Sequence, residues 1–504
     1  MHPPRWLSVV PVCLVMGATA LAQPGGPEAV VANVRQALGI ETMSAHPTGI
    51  RLTGSSRMAG VDGQFEMIAD GHGRFMERIS GPIGVTYGYD GTLAWTEDLG
   101  GERRLLECGD RETAMLGALI MTGDVFAPGS PVEFAPSNAE GVVAGSVTLT
   151  FKLKDGLTTG SVDIDRATWL PRHWSFGQGE EKQNVTFTGS VNVGAVKFPA
   201  KIEQVSHGGM SVVVTVTNGA DAPTFVRSPY EPVLTPPTDV KFDPKIAPAL
   251  EVKKAPTGHL LVHPTVAGKD LGWFIFDTGA GSNCLDQRAA EKLGVEKFGA
   301  IPASGVGGSV TSSLCRPETL ALGPVTLDKP LMVILDFAFL DQYMGTEVGG
   351  IIGYGMLQRV IAEIDAEQGK IALHDPAAFK DDGLAWQALT LYGRHPCVQA
   401  AFEDHKGLFK LDTGAAQSTV TIHAPAVERF KLLDGRETKP AMHGGVGGMA
   451  AAKVGKVKWF ELGGVRSENL EVIFAIDRKG AFDNEFTLGN IGGQLLKPFR
   501  LVTD

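Results

Sequence analysis

Four features recur in the same order in the second half of this chain, and 135 residues separate their central aspartates, Asp277 and Asp412. Each copy opens with an apolar stretch, Leu260-Leu261-Val262 in one and Cys397-Val398-Gln399-Ala400 in the other. Each then runs into an aspartate-led turn, Phe274-Ile275-Phe276-Asp277-Thr278-Gly279-Ala280 and Phe409-Lys410-Leu411-Asp412-Thr413-Gly414-Ala415. A glycine loop follows, Ser304-Gly305-Val306-Gly307-Gly308 and Gly444-Gly445-Val446-Gly447-Gly448. A strand-like run closed by glycine comes last, Gly350-Ile351-Ile352-Gly353 and Phe486-Thr487-Leu488-Gly489. Such a period is too long for a solenoid and fits two homologous lobes. Two copies of an Asp-Thr-Gly turn can set two carboxyls face to face. That pair can split an amide with water, one group acting as base and the other as acid.

The region from Leu250 to Asp504 resembles the retroviral-type and pepsin-like aspartic proteases, in a bacterial two-lobed, single-chain form. The resemblance covers about half the chain. It implies a mainly β fold, with duplicated retropepsin-like lobes forming one bilobal unit. It places the catalytic pair at Asp277 and Asp412, supported by Thr278, Gly279, Thr413 and Gly414. The family's apolar-apolar-Gly element falls on Ile351-Ile352-Gly353 and on Thr487-Leu488-Gly489. Its flap falls on Gly305, Val306, Gly307 and Gly308 in one lobe and on Gly445, Val446, Gly447 and Gly448 in the other. The pepsin-type flap tyrosine is absent from both loops. Each threonine hydroxyl is implied to tie its loop to the backbone of the opposite one.

The implied function is an aspartic endopeptidase, a hydrolase acting on a peptide or protein substrate. The implied form is a monomer with intramolecular lobe pairing, no cofactor and no metal. The alternative is a periplasmic protein that binds an apolar ligand or a peptide, with catalytically silent lobes. The intact Thr-Gly after both aspartates favours catalysis.

Two carboxyls in contact cannot both ionise, so one keeps a proton and they titrate as a pair. Sequence does not say which. Ala280 and Ala415 stand where pepsin-like enzymes often carry a hydroxyl. Losing a hydrogen bond to the charged form raises a carboxyl pKa. The expected working optimum is therefore less acidic than that of a gastric enzyme. The first lobe continues through Val360–Asp365 and Lys370–Leu373, whereas the second stops after Phe499–Asp504. A terminal strand is therefore expected to be missing from the second lobe.

The 504 residues carry a formal charge of −11 and no basic run, which argues against nucleic acid as a partner. Arg5, the apolar stretch Trp6–Met16 and the small-x-small site Ala20-Leu21-Ala22 read as a signal peptide over residues 1–22. The expected location is periplasmic or secreted, with no transmembrane span. Cys108, Cys284, Cys315 and Cys397 remain after the leader. Cys284 with Cys315 is the pairing that keeps both partners in one lobe, and buried free thiols are the other reading. His259, His263, His395, His423 and His443 are scattered and read as surface or core residues rather than ligands.

Residues 27–233 show one helix-period run, Glu28–Leu38, and otherwise alternate, as in Val147–Leu153 and Ser211–Val216. Asp62-Gly63, Asp90-Gly91 and Asp155-Gly156 read as the turns. The expectation is an antiparallel curved or half-barrel β domain with a short helix. It resembles periplasmic lipoprotein-sorting proteins through Tyr89–Trp95, Asp165–Pro171 and Val196–Ala200. Acyl-chain holding is one use such a sheet implies. A scaffold or substrate-presenting role is preferred, because fold does not fix function. A proline-rich linker is expected over 234–256, followed by lobes at 257–380 and 385–504, and Phe242–Pro256 could add a first strand to the first lobe.

Overall fold

The computed structural model describes residues 26–503, apart from 138–143, 180–181, 207–208, 381–382 and 384–385. The expected leader over 1–22 lies outside the described residues. Among the described residues no helix is long and apolar enough to cross a membrane.

The first half of the chain forms one 13-stranded antiparallel sheet. Two meanders meet where Ile50–Met58 pairs with Ser211–Asp221. One face is covered by two helices, Pro27–Leu38 and Cys108–Thr122. Val30, Val34, Leu116, Leu119, Phe126 and Trp174 fill the space between helices and sheet. The second helix was not expected from the sequence. Its last five residues, Ala118–Thr122, are all buried, so no polar stripe marks its period. Asp62-Gly63 also falls inside a strand; the turn is Ala59-Gly60, with both residues at positive φ.

Each lobe is built on an eight-stranded sheet of the same topology. In the first, the spatial order runs Val252–Lys254, Leu260–Val262, Trp273–Phe276, Val348–Ile352, Cys284–Asp286, Met332–Leu335, Gly308–Cys315, Lys297–Gly305. In the second it runs Leu389–Tyr392, His395–Phe402, His405–Asp412, Gly489–Gly492, Val420–Ile422, Val465–Ala475, Gly448–Leu462, Thr438–Gly445. The strand at 252–254 and another at 240–242 lie within the stretch read as a linker, and both pair with first-lobe strands.

The lobes differ where proline intervenes. Pro317 and Pro330 interrupt the first lobe's long hairpin, because a prolyl nitrogen cannot donate to a ladder. The chain there turns off into a separate five-stranded sheet that includes Thr319–Leu322 and Val325–Asp328. No proline interrupts the corresponding hairpin of the second lobe, so Gly448–Leu462 runs unbroken for 15 residues.

Arg500–Thr503 is the second lobe's counterpart of Ile361–Asp365; no counterpart of Lys370–His374 follows it among the described residues, in line with the expectation, and the strand itself crosses over. Arg500–Thr503 pairs antiparallel with Ile361–Asp365 of the first lobe, giving a three-stranded sheet with Lys370–His374. Leu501 packs against both lobe cores. The amino-terminal sheet docks on both lobes. The enclosed Arg359 bridges Asp98 of that sheet and Asp239 at 3.1 and 2.6 Å. Leu391 N and Gly393 N of the second lobe donate to Glu107 and Asp110 at 3.0 and 2.9 Å.

Candidate active site

Each Asp-Thr-Gly turn leaves the end of a central strand and meets its counterpart at the seam between the lobes. The threonines hold the meeting. Thr278 Oγ1 donates to Leu411 O at 2.8 Å and accepts from Thr413 N at 3.0 Å. Thr413 Oγ1 donates to Phe276 O at 3.0 Å and accepts from Thr278 N at 3.0 Å. Each hydroxyl thus satisfies one donor and one acceptor that would otherwise be stranded in a buried seam.

Asp277 and Asp412 face one another across this seam. Gly414 N donates across it to Asp277 Oδ1 at 3.1 Å, and Gly279 N donates to the same oxygen at 2.7 Å. A Cβ at Gly279 would collide with the Asp412 carboxyl, and one at Gly414 with the Asp277 carboxyl. Only glycine admits that approach. Asp412 Oδ1 accepts from Ala415 N at 3.0 Å, and Oδ2 accepts from the Asn490 side-chain amide at 2.7 Å. Burial raises the pKa of Asp277 above the ordinary carboxyl value, and the negative charge of Asp412 raises it further. Burial also raises that of Asp412, against the donors on its oxygens. The direction matches the sequence expectation. Its first cause is burial rather than the hydroxyl missing at Ala280 and Ala415.

The glycine loops form the tips of two hairpins, at Gly305–Gly308 and Gly445–Gly448. The tips touch. Gly307 N donates to Val446 O at 3.0 Å, and Val306 lies against Gly445. Gly308, Gly447 and Gly448 have φ of +126°, +84° and +103°, which other residues rarely adopt. Beside the tips, a groove of about 780 Å³ is lined by Lys297, Val310, Ile334, Phe339 and Val446. Neither aspartate lines that groove.

Several residues near the pair were not assigned a role from the sequence. His259 Nε2 donates to Gly414 O at 2.9 Å, while its Nδ1 accepts from Thr257 Oγ1 at 2.7 Å. His395 lies beside Gly281 of the first lobe, with Nδ1 3.3 Å from Tyr392 O. Burial lowers the pKa of both rings, and His259 braces the opposite loop as a neutral imidazole. Their spacing was the available signal, since they precede Asp277 and Asp412 by 18 and 17 residues. His423 is enclosed, and His443 on the strand Thr438–Gly445 lies tilted against Phe482, its pKa lowered by burial and raised by Asp412.

The apolar-apolar-Gly element of the second lobe is displaced from the expected position. Phe276 pairs with Ile352 in the first lobe, and Leu411 pairs with Ile491 in the second. The counterpart of Ile351-Ile352-Gly353 is therefore Asn490-Ile491-Gly492, three residues beyond Thr487-Leu488-Gly489. A polar residue at the first position hid it. All four described cysteines are free thiols. Cys284 and Cys315 belong to different core clusters, separated by the strand Met332–Leu335.

Residues 262–356 and 398–492 each match the family model described as aspartyl protease. The two matched segments are the two lobes. No curated protein matches the chain. Similar solved structures include a retropepsin-like aspartic protease from Rickettsia conorii, at 17% identity and a TM-score of 0.19, covering 23% of this chain and 90% of that one. A LolA superfamily protein from Nitrosomonas europaea is 10% identical with a TM-score of 0.30, covering 40% of this chain and 95% of that one. A DUF1329 family protein from Desulfovibrio piger is also 10% identical with a TM-score of 0.30, covering 40% and 97%.

Proposed function

We propose that the chain is an aspartic endopeptidase that hydrolyses peptide bonds through Asp277 and Asp412. The observation that carries this reading is the pair of half-buried carboxyls facing each other across a seam locked by Thr278 and Thr413. Their raised pKa values leave one proton shared between them near neutral pH. The ionised partner takes a proton from an attacking water, and the protonated one donates to the scissile carbonyl oxygen. The substrate is an extended peptide passing between the aspartates and the flap tips, held by main-chain hydrogen bonds as an added strand. The tips part to admit it and close to exclude water. The groove beside them fits apolar side chains. The leader reading places this activity outside the cytoplasm.

The test is incubation of the purified protein with a mixed peptide library, alongside Asp277→Asn and Asp412→Asn. Each substitution is expected to lower cleavage by about a thousandfold or more, since a positioned acid or base contributes up to about 10⁴-fold and the two act as a unit. Cleavage equal to wild type in either variant would remove that aspartate from the mechanism. A peptide bound but left intact by the unaltered protein would favour a binding role with silent lobes.

A further inference from the structure

We infer that Asn490, oriented by His423, holds Asp412 as the ionised member of the pair and leaves the proton on Asp277. The inference rests on the catalytic reading above and deepens it, because it assigns the two chemical roles. Asp412 would take the proton from water, and Asp277 would give one to the carbonyl oxygen.

The duplication supplies the argument. In the first lobe Ile275 pairs with Ile351 directly behind the catalytic turn. In the second lobe the equivalent pair is Lys410 and Asn490. The same backbone therefore backs one aspartate with two isoleucines and the other with an ammonium and an amide.

The hydrogen-bond pattern has the matching asymmetry. Both oxygens of Asp412 accept an N–H, one from Ala415 and one from Asn490. An amide N–H can only donate, so it favours the carboxylate over the acid. The N–H groups of Gly279 and Gly414 both fall on Oδ1 of Asp277. Its Oδ2 is left to carry the hydrogen.

The orientation of the Asn490 amide follows from what lies behind it. His423 Nε2 is 2.8 Å from Asn490 Oδ1 and donates to it in this arrangement, while Nδ1 lies 3.1 Å from Thr487 Oγ1, whose one hydrogen has a second acceptor in Asn484 Oδ1 at 3.0 Å. Burial pushes the pKa of His423 down to about 3, so the ring has one N–H to give. Thr487 N in turn donates to Asn484 Oδ1 at 2.9 Å. His423, Thr487, Asn484 and Asn490 are all buried. Nδ1 also lies 3.2 Å from Thr487 O. The opposite tautomer would therefore have a partner as well, and with it an amide turned to accept from a protonated Asp412. The experiment has to separate these two arrangements. The other titratable groups facing the pair are Lys410, whose charge favours ionised Asp412; His443 and His259, whose pKa values burial lowers and Asp412 raises; and Cys284, whose thiol pKa burial and Asp277 raise.

The test compares the unaltered protein with Asn490→Leu, His423→Leu and His423→Gln. Two readouts are used: the pH profile of kcat/KM, and an NMR titration of assigned aspartate carboxyl carbons in the ligand-free protein. Removing a donor that serves only the ionised Asp412 raises the first ionisation and leaves the second in place. Asn490→Leu is expected to move the acid limb up by about one to two pH units with the basic limb unmoved. His423→Leu should shift it the same way by less, and His423→Gln, which keeps an N–H donor, should restore it. A fall of the basic limb instead would mean that Asn490 presents its oxygen to a protonated Asp412, and would overturn the assignment. Unmoved limbs in Asn490→Leu and His423→Leu would also overturn it. Should Asn490→Leu fail to fold, His423→Leu carries the same prediction. A protein that cleaves no peptide would sink the catalytic reading, while the carboxyl titration would still show which aspartate ionises first.

Discussion

The two lobes share a sheet order and part company one layer behind their aspartates. Behind Asp277 lie Ile275, Ile351 and Cys284, packed with Leu261, Leu314 and Val333 in an apolar cluster. Behind Asp412 the corresponding positions are Lys410, Asn490 and Thr421, followed by His423. The loops that carry the aspartates are near copies, and the threonine bonds between them are matched to within 0.2 Å. Duplication thus preserves what the seam requires, and around the aspartates the divergence falls on the support. A symmetrical frame can still hold two unequal acids.

That contrast can be broken by making the lobes alike. Ile351→Asn puts the second lobe's residue into the first. Asp286 occupies the helix-start position that His423 occupies in the second lobe, and its carboxylate is already engaged by Arg288 and by Phe337 N. No partner remains to orient an amide at 351. The expected loss is about 2–4 kcal/mol of stability in chemical denaturation, from a smaller side chain and an unpaired buried polar group. A variant as stable as wild type would show that the apolar layer is not needed in the first lobe.

The seam offers a finer comparison. Thr278→Ala strands Leu411 O and Thr413 N, and Thr413→Ala strands Phe276 O and Thr278 N. Each is expected to cost about 1–3 kcal/mol. Thr278, at 1% exposure, should cost more than the half-buried Thr413. Equal losses measured by thermal melting would show that the grip acts as one symmetrical unit.

A further expectation concerns pH. The folded-state pKa of Asp277 is raised, so the folded form binds that proton more tightly than the unfolded chain does. The associated stability is complete below the unfolded value and is lost as pH rises through the folded one. Asp277→Asn should therefore melt higher than wild type at neutral pH. The gap should close near pH ~4, the ordinary carboxyl range. A gap that widens on acidification would reverse the sign and contradict the burial argument.

The paired aspartate turns were legible in the sequence because their geometry leaves few choices of residue. A loop that must end a strand, turn a carboxyl toward the seam and touch its twin is well served by Asp, Thr and Gly in that order. The hairpin tips were legible through their glycines for a similar reason. Residues whose role is set only by a neighbour from elsewhere in the chain were not. Asn490 broke the apolar pattern, and its meaning appears only beside Asp412 and His423. The crossing of Arg500–Thr503 into the first lobe was hidden because a strand does not name its partner. The helix Cys108–Thr122 was hidden by burial on all sides at its end.

The proline breaks in the first lobe have a mechanical counterpart in the second. Gly448–Leu462 extends about 50 Å at roughly 3.3 Å per residue, from a flap tip to Phe460 in the interior of its lobe. Its far end also hydrogen-bonds the strand that leads into the turn before Asp412, through Ala400–Phe402. The first lobe's flap strand stops short at Cys315, with Pro317 just beyond. One hairpin is therefore a long lever seated in the body of its own lobe, and the other a short tab. A force on the long one's tip is carried along a paired strand to the base of the Asp412 turn, whereas the short one ends before reaching its counterpart.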